Sequence, residues 1–275
     1  MLSKFLSIPF VIAGLVFLYF TWEVDESYST YIIPCVLSLA LIYVFSPQID
    51  WWWYLRYPPQ LDAKVRHFFQ TSYPFYQHLS LEHKQRFRDR VGLFMVAKDF
   101  KPHGMEAVPE DIKAIIAANA VQLTFGLEDF LLKKFENIVV APKPFPSPNF
   151  PKHFHASETY EEDGVILFAA DHLLKSFVNP EKFYNIGLHE FAQVFIKSHP
   201  DQVWPRLEKD IWEQMEQVSG FSKDGIHDWI NLEEIDPLPV SIVHFFIFPK
   251  AFKKNLPKLF QTYSGIFQLD PLEVS

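Results

Sequence analysis

The residues best suited to chemistry in this chain lie at 189–193, His-Glu-Phe-Ala-Gln. On a helix, positions 189 and 193 fall one turn apart on the same face, so two imidazoles there would grip a single metal ion. A glutamate directly after the first imidazole would sit beside a metal-bound water and take its proton. The pattern is the His-Glu-x-x-His arrangement of metal-dependent hydrolysis with its second imidazole replaced by the carboxamide of Gln193. A carboxamide offers a borderline-soft cation only a neutral oxygen, so the chemistry turns on that one position. His199 follows His189 at the interval of the longer His-Glu-x-x-His-x-x-Gly-x-x-His motif, but Ile196 stands where that motif needs a glycine to turn the chain. His199 with Pro200 instead ends the helix, where an imidazolium suits the dipole. His153 and His155 have metal-like spacing, yet their place beside a proline-rich stretch makes solvated side chains the expectation.

The elements that must position these groups are read from caps and periodicity. Asn179, Pro180 and Glu181 form a helix-start signature, which predicts one helix from there to about Ser198 carrying the pentapeptide in its middle. Phe183, Ile186, Gly187, Glu190 and Val194 then share a face, so Glu190 meets largely apolar surroundings, unusual for a carboxylate without a partner. Ser80 caps a helix over 81–98, and Pro109 with Glu110 and Asp111 opens another. Its apolar face runs through Ile112, Ile115, Ile116, Ala120 and Leu123, and Asn119 on it reads as a satisfied core amide. Strands are expected at 137–141 and 164–168. They bracket a proline-rich segment that cannot be regular structure and whose length suits a cleft rim. Further helices are expected near 203–219, 237–249 and 256–267.

Composition narrows the class. The chain has 275 residues, a formal charge of −8 and scattered basic residues, which gives no electrostatic case for nucleic acid. One cysteine, Cys35, excludes a disulfide framework and a thiolate metal site. Residues 5–20 and 28–47 are both free of charge, each near the length that crosses a hydrocarbon core of about 30 Å. They predict a two-helix membrane hairpin over 1–50, then an aromatic and basic juxtamembrane segment over 51–66 and a main domain over 67–275. The connection carries Glu23, Asp25 and Glu26, whereas Lys4 precedes the first span and Arg56, Lys64 and Arg66 follow the second. The positive-inside rule therefore places both ends and the main domain in the cytoplasm, on the inner membrane, with Trp51-Trp52-Trp53-Tyr54 at the interface.

Several ordered segments together carry a more specific signal. They are EDIKAIIAANAVQLTFGLEDF, NIVVAPKPF, GVILF, YNIGLHEFAQ and a tail with Phe245-Phe246, Pro249, Leu259-Phe260 and Gln-x-Asp-Pro at 268–271. Over residues 70–272 the chain resembles the Mlc titration factor A family of zinc-dependent peptidases. The resemblance implies an α+β fold: a mainly helical, zincin-like metallopeptidase domain with a small β-sheet, here preceded by two transmembrane helices. The family holds zinc with two histidines one turn apart and a downstream acid. Carried onto this chain, the ligand positions are His189, Gln193 and Asp236, and the general base is Glu190. Trp229 stands where the family has an oxyanion-stabilising tyrosine, and Val243 where it has a second acid.

Each departure has a physical consequence. Asp236 keeps the charge on a shorter arm, Trp229 offers an indole N–H but no phenol, and Val243 removes an outer acceptor of a kind that tunes metal affinity by about tenfold to a hundredfold. His227 and His244 fall in segments near the implied site, and with His199 are the imidazoles available to replace the missing ligand. The expected function is a membrane-anchored, metallopeptidase-like protein with impaired zinc hydrolysis and a cleft that binds a peptide or protein. An active zinc peptidase using His189, Asp236 and a substitute ligand, and a purely structural membrane adaptor, are the alternatives.

Overall fold

The computed structural model describes every residue except Met1, Pro148, Glu233 and Ser275. The chain divides into two compact units, Met1–Pro59 and Gln60–Ser275. In the first, helix α1 (Leu2–Glu23) and the stretch Glu26–Val44, whose second part is α2 (Ile32–Val44), are each long and apolar enough to cross a membrane. Their apolar side chains point outward: Phe5, Leu15, Leu37 and Leu41 are all exposed, as a lipid solvent permits. A third helix, α3 (Ser46–Arg56), carries the tryptophan cluster. Ser3 donates from its backbone N and its Oγ to the two oxygens of Asp50, at 2.9 and 2.8 Å, which ties the start of α1 to α3. The two ends of the hairpin therefore lie together.

The second unit opens with α4 (Ala63–Ser72), α5 (Pro74–His78) and α6 (Leu81–Ala97), the last capped by Ser80 as its sequence predicts. Strand β1 (Asp99–Pro102) leads to α7 (Glu110–Leu123), a nearly all-buried helix. Arg90 of α6 donates to the carbonyls of Thr124, Phe125 and Leu127, which satisfies acceptors that the end of α7 leaves open. Then come β2 (Asn137–Ala141), β3 (Ser157–Tyr160) and β4 (Val165–Ala169). The sheet order is β1-β2-β4-β3, parallel except for β3, which pairs antiparallel with β4 at the edge. Helices α8 (Ala170–Val178) and α9 (Ile186–Ser198) follow, then α10 (Ile211–Ser219) and α11 (Lys223–Ile230). The chain closes with α12 (Pro237–Ile247), α13 (Pro249–Asn255) and α14 (Pro257–Ile266). This is the expected α+β fold, mainly helical with one small sheet.

Four expectations need correction. The helix expected near 203–219 begins only at Ile211. The helix expected from Asn179 to Ser198 begins only at Ile186, after α8 has ended at Val178. Asn179 ends α8, donating its backbone N–H to Lys175 O, and Asn185 starts α9 by accepting from Leu188 N. Both asparagines satisfy the same capping rule, and the second wins because Phe183, freed from a helix, stacks on Trp229 at 4.9 Å. His155 is not solvated: it is fully buried between Phe145 and Phe150, with Nε2 3.0 Å from Glu158. Asn119 is only half satisfied, since its Nδ2 donates to Ile115 O while its Oδ1 has no partner among the described residues.

Asn119 also marks where α7 and α9 approach most tightly. A Cβ on Gly187 would lie 2.5 Å from Asn119 Nδ2 and 3.0 Å from Leu173 Cδ1. Overpacking of this kind typically costs about 1–3 kcal/mol. Gly187→Ala is therefore expected to lower the unfolding free energy by about that amount, read as a lower denaturant midpoint of the full-length protein.

Candidate functional site

Helix α9 lies between α7 and α12 and packs against strand β3. Its first turns bury His189 and Glu190 completely, while Gln193 is half-buried. His189, Gln193 and Asp236 line one cavity of about 330 Å³, together with Glu158, Thr159 and Lys197. The three ligand positions implied by the sequence are thus neighbours in space.

What they do there differs from a metal centre. His189 Nδ1 lies 2.8 Å from the Tyr184 hydroxyl and Nε2 lies 2.9 Å from the Gln193 amide. A neutral imidazole has one N–H and one lone pair. The Gln193 amide nitrogen can only donate, so Nε2 carries the lone pair and accepts from it, while Nδ1–H donates to the Tyr184 hydroxyl. Burial keeps the ring neutral, with its pKa pushed down to about 3. Asp236 spends one oxygen on the N-cap of α12, accepting from Leu238 N at 2.8 Å. Among the described residues, no three His, Cys, Asp or Glu side chains are grouped to hold a metal ion. A zinc ion does not fit these residues as they stand, because it would have to displace Gln193 from the only nitrogen lone pair at the site.

Glu190, the general-base position, faces β3 and is not among the residues lining the cavity. Its Oε1 accepts from Ser157 Oγ at 2.7 Å and its Oε2 from Thr159 Oγ1 at 2.5 Å. Ser157 and Thr159 are two apart on β3, so their side chains share the face turned to α9. Burial raises the Glu190 pKa above its ordinary value, and the two hydroxyl bonds oppose that rise only in part. The carboxyl therefore clamps the helix to the edge strand.

The remaining sequence candidates take other places. Trp229 stacks on His172 and Phe183, and its Nε1 donates to Tyr184 O at 3.0 Å, so it braces the residue whose hydroxyl meets His189. His199 stacks on Phe195 and bonds Phe195 O through Nδ1. His244 is buried between Val240 O and Ser219 Oγ, each 2.8 Å away, and burial lowers its pKa to about 4. His227 lies on α11 with a buried Nε2 that has no partner among the described residues. Val243 is core. Neither His199, His227 nor His244 lines the cavity of His189.

The sequence profile of the glucose-regulated metallopeptidases, M90, matches residues 51–268. The chain belongs to that family. No curated protein matches it. The match to M90, the Mlc titration factor A family, includes helix α9 with His189 and Glu190, strand β3 and Asp236. Four residues at or behind the cavity carried no signal in the pentapeptide: Tyr184 and Ser157, which bond His189 and Glu190 from outside the lining, and Thr159 and Glu158, which line it. The last is held below the usual carboxylate range; burial opposes this, but hydrogen bonds from His155, Ser147 and Asn149 prevail. The alternation Ser157, Thr159 in a segment flanked by aromatics was the available cue, since a polar pair two apart on a strand faces one partner.

Proposed function

We propose that this protein is a membrane-anchored M90 member whose cleft binds a peptide or protein segment instead of hydrolysing it with zinc. The Gln193 amide on His189 Nε2, 2.9 Å away, carries this reading. In an M90 hydrolase that nitrogen would face the metal; here the chain itself satisfies it. Support also comes from Glu190, whose two oxygens are both engaged by β3 and are turned from the cavity. Among the described residues the cavity carries three carboxylates, Glu158, Glu234 and Asp236, against one lysine, Lys197, beside Phe150 and Leu232, which suits an extended segment with basic side chains. In this reading the hairpin over residues 5–47 anchors the cleft at the inner membrane on its cytoplasmic side, supported by two helices long and apolar enough to cross a membrane and by lysine and arginine lying outside their connection.

Metal analysis of the full-length protein in detergent tests the reading. After equilibration with zinc and gel filtration, the protein is expected to carry well under one zinc per chain and to leave peptide substrates uncut. One zinc per chain, with cleavage abolished by chelator and by Glu190→Gln, would establish an active peptidase with a substituted ligand set.

A further inference from the structure

Another cavity of the second unit, about 550 Å³, is lined by a different set of residues, with no member in common with the His189 cavity. Its walls are aromatic: Tyr73, Phe75, Phe177, Phe246 and Phe248. Two buried amide side chains also line it, Asn185 and Gln122 of α7, the latter 1% exposed. Gln122 Oε1 accepts from the Tyr73 hydroxyl at 2.6 Å, and this is the only hydrogen bond its side chain makes among the described residues. The amide nitrogen thus presents donors to the cavity with no protein acceptor. Gln122 Nε2 is not among the fully sealed unpaired side-chain atoms of the described residues, so it is reachable from the cavity, where a ligand or water can accept from it.

We infer that this cavity is a binding site for a small neutral molecule with an apolar body and one carbonyl oxygen that accepts from Gln122. The volume falls in the range of ligand pockets, about 300–1,000 Å³, and the pattern of apolar walls with few placed polar groups is what such pockets use for orientation. Neutrality follows from the inner surroundings. Gln122 and Asn185 are the buried amide side chains of the lining, both neutral and each with its oxygen already accepting (Gln122 from Tyr73, Asn185 from Leu188 N), so a buried ion would find no counter-charge. The charged groups of the lining, Glu181, Lys250 and His78, are all solvent-exposed and mark the mouth. A hydrophobic amide meets these requirements.

N-butylbenzamide is the probe, titrated calorimetrically into the full-length protein in detergent, with the benzylamine of the same skeleton as comparison. Saturable binding of the amide is expected, at least tenfold tighter than of the amine, which lacks the acceptor. Ala251→Trp places an indole in the cavity from α13 and is expected to abolish binding while keeping the unmodified melting temperature. Gln122→Met is expected to weaken the amide about tenfold. The proposal is overturned by amide binding that Ala251→Trp leaves intact, by equal affinity for amine and amide, or by unchanged amide affinity in a folded Gln122→Met protein. It is also overturned by no saturable binding at millimolar probe, including the case where Ala251→Trp instead breaks self-association and so assigns the cavity to a second copy of the chain. None of these outcomes bears on zinc at His189, so this inference and the proposed function stand or fall separately.

Discussion

Glu190→Ala lowers the unfolding free energy by about 2–5 kcal/mol, while Glu190→Gln changes it by no more than about 1 kcal/mol. The difference comes from the two hydroxyls that Glu190 serves. Alanine leaves Ser157 Oγ and Thr159 Oγ1 facing a void with no acceptor, and each buried unmet donor costs about 1–3 kcal/mol. Glutamine keeps the shape and one carbonyl acceptor, and a rotating hydroxyl can accept from its N–H group. Chemical denaturation of the full-length protein, followed by tryptophan fluorescence, gives both values. The ordering matters more than either number. A glutamate kept as a general base would show the opposite profile, with Glu190→Gln removing activity and neither variant costing much stability. Equal stability of Glu190→Ala and the unmodified protein would refute the clamp between α9 and β3.

The contrast also shows how far the sequence could be read. Helix α6 and the strands at 137–141 and 165–169 follow from a cap and from short β-rich runs, because each signal is local. The family framework named His189, Gln193 and Asp236 from the sequence, but that they line one cavity is a contact between distant segments that only the fold supplies. What local signals could not give were the cross-element partners. Glu190 looks unpartnered on its own helix because its acceptors are used by a strand more than thirty residues earlier. Tyr184 meets His189 only because α9 starts at Ile186, leaving 179–185 free to turn the phenol inward. His155 looked solvated beside so many prolines, yet the Phe145–His155 bridge folds that stretch back and buries the ring against Glu158. In each case the missing information was a contact between residues distant in sequence, not a propensity.

Gln193→His is expected to raise zinc affinity by about a hundredfold or more, the largest functional change available to a single substitution here. Outer partners of metal ligands alone are worth about tenfold to a hundredfold, and a direct imidazole ligand must exceed them. The geometry favours the gain. Positions 189 and 193 already sit close enough for a 2.9 Å contact, and Asp236 lines the same cavity with its second oxygen not needed for the N-cap. The substitution removes the amide that holds the His189 lone pair and supplies a second one on the same face. Competition between the protein and a chromogenic chelator measures the change at pH 7–8, where both imidazoles are neutral. Binding without hydrolysis is the expected pairing, because Glu190 remains tied to Ser157 and Thr159. Tight zinc with restored cleavage would mean that Glu190 leaves β3 when metal is bound, and that Gln193 alone separates this cleft from a working peptidase. Unchanged affinity would show that His189 and Asp236 no longer share a metal-binding geometry, and that the divergence of the site runs deeper than one residue.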